Sequence, residues 1–353
     1  MFAHFGSGDL VKLGLLLGFW GPEGPPHGLL AAVREAEAIG YESVWTSEGH
    51  GSDALTPLAW IGAHTSTIGL GTAVMHMAAR APAATAMAAL SMDHLSAGRF
   101  VLGLGLSGPD LVQGWYGQPF DPPLGRTRDY LAIVRRVLAA DAPVAYAGKH
   151  LSLPLPSSDG REAMTLTSTV RPLRPDLPIV VGAEGPSNVA LAREIADGWI
   201  VTYYSPYRDS HYRDALALGA ARPGARRSAD DFEIIGTVPV VLADNTEAAA
   251  DRLRPLFVSF IGPPGRNFHA QAFARMGYDD VVAKVSALWL AGNNKEAAAA
   301  IPTWLVEQVA LVGPPGKIRE ELPAWRGSLL TTLLVYVPLR AQTLGQVAEL
   351  ILS

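Results

Sequence analysis

Short apolar runs bounded by turn residues alternate along this chain with stretches whose apolar positions recur every three or four residues. The first kind reads as strand buried on both faces and the second as amphipathic helix. Lys12–Trp20 is the first strand, His27–Ile39 a helix closed by Gly40, and Ser43–Thr46 the second strand. The polar loop Ser47–Asp53 leads to a helix over Leu55–Thr65, and Ile68–Met75 is the third strand. Pro82 stands at a helix start, where its missing N–H costs nothing, and Ala83–Leu95 carries that helix to a stop at Ala97-Gly98. Phe100–Leu104 is the fourth strand and Gly125–Ala139 its helix. Pro178–Ala183 and Trp199–Tyr203 are the fifth and sixth strands, with Asn188–Ile195 helical between them. Phe232–Leu242 and Leu329–Val337 supply the seventh and eighth, and a helix follows over Ala341–Leu352.

Eight buried strands with helices between them predict an α/β protein, a closed (β/α)8 TIM barrel rather than an open sheet. One barrel domain over 1–353 is expected, with insertions near 107–124, 143–178 and 244–323. Pro143–Pro178, rich in Pro, Ser and Asp, predicts an inserted hairpin or loop. Asp244–Pro323 predicts extra helices, among them Asn245–Phe260, Tyr278–Ala291 and Lys295–Ala300. Ala220–Asp231 carries arginines without apolar periodicity and is expected to be mobile.

Composition narrows the function. Hydrophobic residues make up 49% of the chain and charged residues 17%, which implies a large core under a modest charged surface. A net charge of −5 without basic runs argues against a nucleic-acid partner. No apolar run reaches the roughly 18 residues a membrane helix needs. The apolar run Val11–Trp20 follows Asp9 and lacks a small-residue cleavage site, so it is a poor export signal and a cytoplasmic location is expected. The absence of cysteine removes disulfides, thiolate catalysis and Cys-ligated metal centres.

In a barrel the loops that follow the strands converge on one face, and the chemistry sits there. Those loops hold Trp20; Ser47, Glu48 and His50; Met75, His76 and Met77; Ser107, Gly108 and Pro109; Glu184 to Asn188; and Tyr203 to Tyr207. Two of them suit an anion. Ser107-Gly108 follows a glycine-rich strand, where Gly103 and Gly105 would let a ligand approach the backbone. Glu184-Gly185-Pro186-Ser187-Asn188 opens a helix, whose unsatisfied N–H groups attract a phosphate; Ser187 or Asn188 reads equally well as a plain N-cap. Glu48 and His50 are the most prominent titratable pair. His76 stands between Met75 and Met77, which read also as pocket lining, and Tyr203, Tyr204 and Tyr207 as a pocket wall or barrel edge. The histidine spacings form no metal site, and HExxH, Walker, GxSxG and GxGxxG motifs are absent in the proper context.

Several runs carry a family likeness. Trp45-Thr46-Ser47-Glu48-Gly49-His50-Gly51-Ser52-Asp53-Ala54-Leu55-Thr56-Pro57-Leu58-Ala59, Leu70-Gly71-Thr72-Ala73-Val74, Leu95-Ser96-Ala97-Gly98-Arg99-Phe100 and Leu102 to Pro109 resemble signatures of the luciferase-like monooxygenase superfamily. So, further on, do Gly182 to Ala190 and Ala196-Asp197-Gly198-Trp199. Gly114-Trp115-Tyr116-Gly117, Leu124 to Arg128 and Val309 to Gly313 resemble its deazaflavin branch, the coenzyme F420-dependent oxidoreductases related to methylenetetrahydromethanopterin reductase.

The resemblance implies hydride transfer between C5 of coenzyme F420 and a small organic substrate, with the protein acting as a reductase. It implies a bacterial luciferase-like barrel in which Ala73-Val74, as a cis peptide beside Met75, backs the ring. The phosphate would lie among Ser107, Gly108, Pro109, Ala183, Glu184, Gly185, Pro186 and Asn188. Glu48 would fix the ring, His50 or, as second choice, His76 would donate a proton, and Trp20, His76, Met77 and Tyr203 would line the substrate pocket. Where sugar-phosphate dehydrogenases of this group carry an acid, this chain has Gly108-Pro109, and no basic cluster for a sugar phosphate is evident, so a less charged substrate is expected. FMN with oxygen, as in the monooxygenases, and a barrel binding a phosphorylated ligand without redox turnover stand as the alternatives. A small-molecule substrate and a homodimer partner are compatible with the sequence; nucleic acid and membrane are not expected.

Overall fold

The computed structural model of the chain describes residues 11–156 and 163–353. Eight parallel staves close into a barrel. They are β1 (Lys12–Gly18), β2 (Ser43–Thr46), β3 (Gly69–Thr72) continued by the short β4 (Met75–His76), β5 (Phe100–Gly105), β8 (Ile179–Gly182), β9 (Gly198–Thr202), β10 (Glu233–Leu242) and β12 (Thr332–Tyr336). Each pairs with its neighbour in chain order, and Lys12–Leu15 against Thr332–Val335 closes the ring. The predicted third strand is the one that breaks: two residues, Ala73 and Val74, separate β3 from β4, and their peptide bond is cis.

Alternation along the staves explains why they read as continuous apolar runs. Leu13, Leu15, Val44, Leu70, Phe100, Leu102, Ile179 and Val201 point outward into the layer covered by helices. Trp45, Val180, Ile200, Ile235 and Leu334 fill the interior, with Leu16, Ala73, Val74 and Val101 packed on them. Trp45 is the largest of these, and the neighbouring stave makes room for it: a Cβ on Gly71 would lie 2.2 Å from the indole.

The outer helices are α1 (Leu29–Ala38), α2 (Leu55–Gly62), α3 (Pro82–Leu95), α4 (Pro123–Ala139), α5 (Pro186–Ile195), α6 (Ser210–Ala220) and α13 (Ala341–Leu352). The predicted insertion at 143–178 does contain a hairpin, β6 (Tyr146–Ala147) against β7 (Ser152–Leu153), pinned to α4 by the carboxylate of Asp129; residues 157–162 of that insertion lie outside the described residues. After β10 come α7 (Thr246–Ile261), α8 (Phe268–Phe273), α9 (Asp279–Leu290), α10 (Asn294–Ala299), α11 (Thr303–Val309), β11 (Leu311–Gly313) and α12 (Pro315–Arg326). The helices of this insertion pack round a second apolar core that includes Phe257, Phe273, Ile301 and Leu305. Helix α6 and the pairing of β11 with the end of β10 are features the apolar pattern does not reveal. Among the described residues no helix is long and apolar enough to cross a membrane.

The segment 220–231 corrects an expectation of mobility. Its arginines are all engaged: Arg222 binds Glu194, while Arg226 and Arg227 both reach Asp176 and Asp197. Asp197 also accepts from Arg135 and from the Ile179 N–H. The charges that look like a solvated loop in sequence are the partners of buried carboxylates just ahead of β9.

Two stability predictions follow from this packing. Val74 fills a notch in which a Cβ on Gly105 would sit 2.2 Å from its Cγ2. Gly105→Ala should destabilise by about 1–3 kcal/mol through overpacking, and Val74→Ala in the same chain should restore at least half of that loss. Urea unfolding of the four chains in this cycle checks it; additive effects would remove the notch.

The other concerns Glu37 of α1, whose Oε1 accepts from the N–H groups of Ser66, Thr67 and Ile68 and from the Thr67 hydroxyl. Burial raises the Glu37 pKa, but these donors outweigh it and hold the carboxyl down at about 2. A depressed acid stabilises above its unfolded value, near 4.5, and loses that contribution as pH falls toward 2. Glu37→Gln should therefore flatten the acid limb of stability against pH across that window. A slope equal to wild type there would show that this clamp does not contribute.

Candidate active site

The mouth of the barrel is organised by the break between β3 and β4. The Ala73 N–H donates to the Thr46 carbonyl, so the chain is still in register with β2 as it enters the bulge. The Ala73 carbonyl then accepts from Ser47 Oγ at 2.8 Å and the Val74 carbonyl from the Glu48 N–H at 3.2 Å. Met75 and His76 resume pairing, now with Leu104 and Gly105 of β5. Val74 occupies the space left by two glycines, since a Cβ on Gly182 would also meet it, at 3.0 Å. A Cβ on Gly103 would lie 1.7 Å from the Thr72 carbonyl oxygen. Gly103 and Gly105 are thus explained by protein packing, and the expectation that they admit a ligand is corrected.

Glu48 is buried directly after β2, and its carboxylate is fully engaged. Oε2 accepts from the His76 N–H at 2.7 Å, and Arg80 Nη1 donates to both oxygens at 2.8 and 3.1 Å. Arg80, which follows the 3₁₀ turn Met77–Ala79, is the partner of Glu48 that the sequence did not reveal. His76 is buried too, with its ring edge-on to Tyr116 and Nδ1 3.4 Å from the Tyr116 hydroxyl. Burial pushes the imidazole pKa below its ordinary value, with Arg80 adding to that against the opposing pull of Glu48. Burial, then Glu48, pushes the Tyr116 phenol up.

His50 is placed differently. It is exposed at the loop tip, and its recorded neighbour is the exposed ring of Trp115, 6.3 Å between centroids. Sequence brought Glu48 and His50 together as a pair; the structure pairs Glu48 with His76 and Arg80 instead. Trp20 donates its N–H to Ser52 Oγ and lines an open groove of about 620 Å³ with Leu29, Pro57 and Trp60, beside helices α1 and α2. Met77 lines a small cavity of about 50 Å³ with Leu106, Val112, Phe120 and Tyr130. Tyr203 does not wall an open pocket. It is buried among Phe257, Phe260, Phe273 and His269, joining the end of β9 to the inserted core.

The two loops singled out for an anion stand side by side, because Gly105 and Gly182 are register partners at the ends of β5 and β8. Ser107 takes a left-handed conformation (φ 62°), and beyond it a Cβ on Gly108 would meet nothing within 4 Å. The same holds at Gly185, which is the N-cap of α5 and offers no side chain to its N–H groups. Helix α5 begins at Pro186, so Ser187 and Asn188 lie inside its first turn and the N-cap reading of them is corrected. Pro109 precedes a π-helical turn, Asp110–Trp115, that carries the chain to Tyr116. Ala183 is held by Trp199 Nε1, which donates to its carbonyl at 2.7 Å.

Glu184 turns away from this loop toward the insertion. Its Oε1 lies 2.6 Å from His269 Nδ1 on α8, and its carbonyl accepts from Arg275 Nη2 at 3.2 Å. Burial lowers the His269 pKa, but the Glu184 charge outweighs it and leaves the imidazole above its ordinary value. Two buried acceptor atoms here have no protein partner: Glu184 Oε2 and Asn188 Oδ1. Among the described residues no group of three or more acidic or histidine side chains is arranged to hold a metal.

Comparison with known proteins agrees with this architecture. A Mycobacterium tuberculosis protein provisionally named a coenzyme F420-dependent oxidoreductase is 47% identical over 330 residues, covering 92% of this chain and 94% of its own. The 5,10-methylenetetrahydromethanopterin reductase of Archaeoglobus fulgidus is 24% identical over 82% of this chain and 83% of its own. The structure of the coenzyme F420-dependent tetrahydromethanopterin reductase from Methanopyrus kandleri superimposes with a TM-score of 0.79 at 20% identity, covering 97% of this chain and 99% of that one. The sequence profile of the luciferase-like monooxygenases matches residues 14–332, and the chain belongs to that family.

Proposed function

We infer that this chain is a coenzyme F420-dependent oxidoreductase that reduces a small, weakly charged organic substrate. The observation that carries the cofactor reading is the pair of open backbone loops at the ends of β5 and β8. Gly108 and Gly185 leave room where any side chain would intrude, and the uncapped N-terminus of α5 presents donors and a partial positive charge to a phosphate. The partnerless Glu184 Oε2 and Asn188 Oδ1 beside it require donors that a hydroxylated chain next to the phosphate would bring. An anion and its neighbouring hydroxyls are what a phosphate-linked deazaflavin offers, so the residues present fit the group. The 47% identity to a relative bearing the F420-dependent name supports the same choice.

Bound at this site, coenzyme F420 supplies a hydride at C5 of its ring. The residues of the chain supply position and electrostatics. Ala73 and Val74 hold their carbonyls toward Ser47 and Glu48, giving the ring a fixed backbone shelf. Glu48 and Arg80 neutralise each other within the mouth. With no cation left over between them, an acidic substrate gains little there, which favours an uncharged one. The reaction direction we favour is reduction.

Fluorescence titration with F420 and FMN side by side tests the reading: F420 should bind at least about tenfold more tightly, a difference of about 1.4 kcal/mol. FMN binding as tight or tighter, with oxygen consumed on reduction, would transfer the site to the monooxygenase alternative. Gly108→Val should weaken F420 by about tenfold or more while leaving thermal stability little changed, because a Cβ at that position meets no protein atom within 4 Å. Unaltered F420 affinity in that variant would move the phosphate away from this loop.

A further inference from the structure

His76 is anchored on one side and open on the other. Its N–H is held by Glu48 Oε2, its strand residue is paired with Gly105, and its Nδ1 faces the Tyr116 hydroxyl. Nε2 has no hydrogen-bond partner among the described residues, yet it is not among the polar atoms sealed inside the protein. The Nδ1 to hydroxyl distance, 3.4 Å, is long for an O–H···N bond. Catalytic hydrogen bonds are often long before substrate arrives and tighten in the complex.

The charges around the ring decide its protonation. Glu48 approaches from the loop after β2, Arg80 from beyond the 3₁₀ turn, and Tyr116 from the π-helical turn. Tyr130 of α4 donates its hydroxyl to the Arg80 carbonyl behind them. Burial disfavours both imidazolium and phenolate, so the pair rests as neutral imidazole and phenol. A neutral imidazole has one donor and one acceptor nitrogen. A phenol proton aimed at Nδ1 makes that nitrogen the acceptor and leaves the ring's own proton on Nε2, the open side.

Resting on the deazaflavin reading above, we propose that His76 Nε2 is the proton donor to the substrate and that Tyr116 resupplies the proton at Nδ1. For an enone acceptor the step balances as follows. The β-carbon gains a hydride from reduced F420, the C=C electron pair shifts, and the carbonyl oxygen becomes an enolate oxygen. That oxygen takes the Nε2 proton while Nδ1 takes the Tyr116 proton. Nε2, on the open side, then takes a proton from water while the Nδ1 proton returns to the Tyr116 oxygen, and the enol becomes the ketone. The protein ends as it began, and the acceptor has gained one hydride and one proton. His50, exposed at its loop tip and facing Trp115, has no comparable anchor.

The test begins with the protein free of coenzyme, labelled with ¹⁵N-histidine, the His76 signals being those lost in His76→Gln. An Nε2–H tautomer with an unprotonated Nδ1, blurred into a tautomer mixture by Tyr116→Phe, is the expected result; an Nδ1–H tautomer, or no response to Tyr116→Phe, overturns the pairing. F420 affinity should stay within about threefold of wild type in both variants, and loss of affinity in His76→Gln would make the ring a cofactor support instead. With reduced F420 and cyclohex-2-en-1-one as the probe acceptor, His76→Gln should slow coenzyme oxidation by about 10²–10⁴-fold, the usual contribution of a positioned acid. Tyr116→Phe, which keeps the ring and removes only the hydroxyl, should slow it less, with a pH profile that no longer matches wild type. Unchanged rates in both variants overturn the donor assignment. Failure of the wild-type protein to bind F420 would instead overturn the cofactor reading, a result that the titration reports separately from the tautomer spectrum.

Discussion

Val74 places its methyl groups in a notch that exists because positions 105 and 182 on the next two staves have no side chain. The fit is steric and close-range, so it fixes the bulge far more sharply than apolar burial alone would. Once Val74 is seated, the two bulge carbonyls face the loop after β2, where Ser47 and Glu48 satisfy them. Strand pairing then restarts at Met75, which sets His76 beside Gly105 and within reach of the Glu48 carboxylate. The backbone shelf, the carboxylate and the imidazole are therefore consequences of one packing event.

Buried charge is distributed between the two ends of the barrel in different ways. Asp197, just ahead of β9, is surrounded by Arg135, Arg226 and Arg227, and Asp93 at the end of α3 is paired with Arg174. These carboxylates lie on the amino-terminal side of the staves, where a barrel keeps its stabilising contacts. At the opposite end Glu48 has a single guanidinium, from Arg80, and also accepts from the backbone N–H of His76. A buried pair of this kind adds little net stability, because desolvation cancels much of the attraction, but losing one member leaves a costly lone charge. Its use here is positional, while burial, with Arg80 offsetting Glu48, lowers the pKa of the His76 ring beside it.

The barrel was legible because its staves are buried on both faces and its helices carry a one-sided apolar stripe; strand order then follows from parallel connectivity. The cis Ala73-Val74 bond, inferred from the family likeness, is present. Local backbone chemistry was partly legible. Gly108 and Gly185 do open space, whereas Gly103 and Gly105, identical in sequence appearance, are filled by Thr72 and Val74. A glycine reports that something comes close; only the fold says whether that something is the protein itself. Arg80 escaped notice because it meets Glu48 across more than 30 residues, and Tyr116, quoted only within a family run, received no role because His76 is as remote in sequence. The arginines of 220–231 misled for the same reason, their carboxylate partners being remote in sequence.

The insertion after β10 is more than an appended bundle, because two of its side chains act on the loop after β8. His269 engages the Glu184 carboxylate and Arg275 the Glu184 carbonyl, so the residue immediately before Gly185 is gripped at both side chain and backbone. Without His269, a buried carboxylate would lie next to the helix terminus that is left open for an anion, and the two negative charges would repel. Tyr203 reinforces the same joint by carrying the end of β9 into the aromatic cluster of Phe257 and Phe273. The barrel supplies the open N-terminus of α5, and the insertion sets against the neighbouring carboxylate an imidazole whose pKa that carboxylate raises. On the phosphate reading proposed above, both parts are needed to make the loop receptive, and a residue as acidic as Glu184 can stand at that position because His269 faces it.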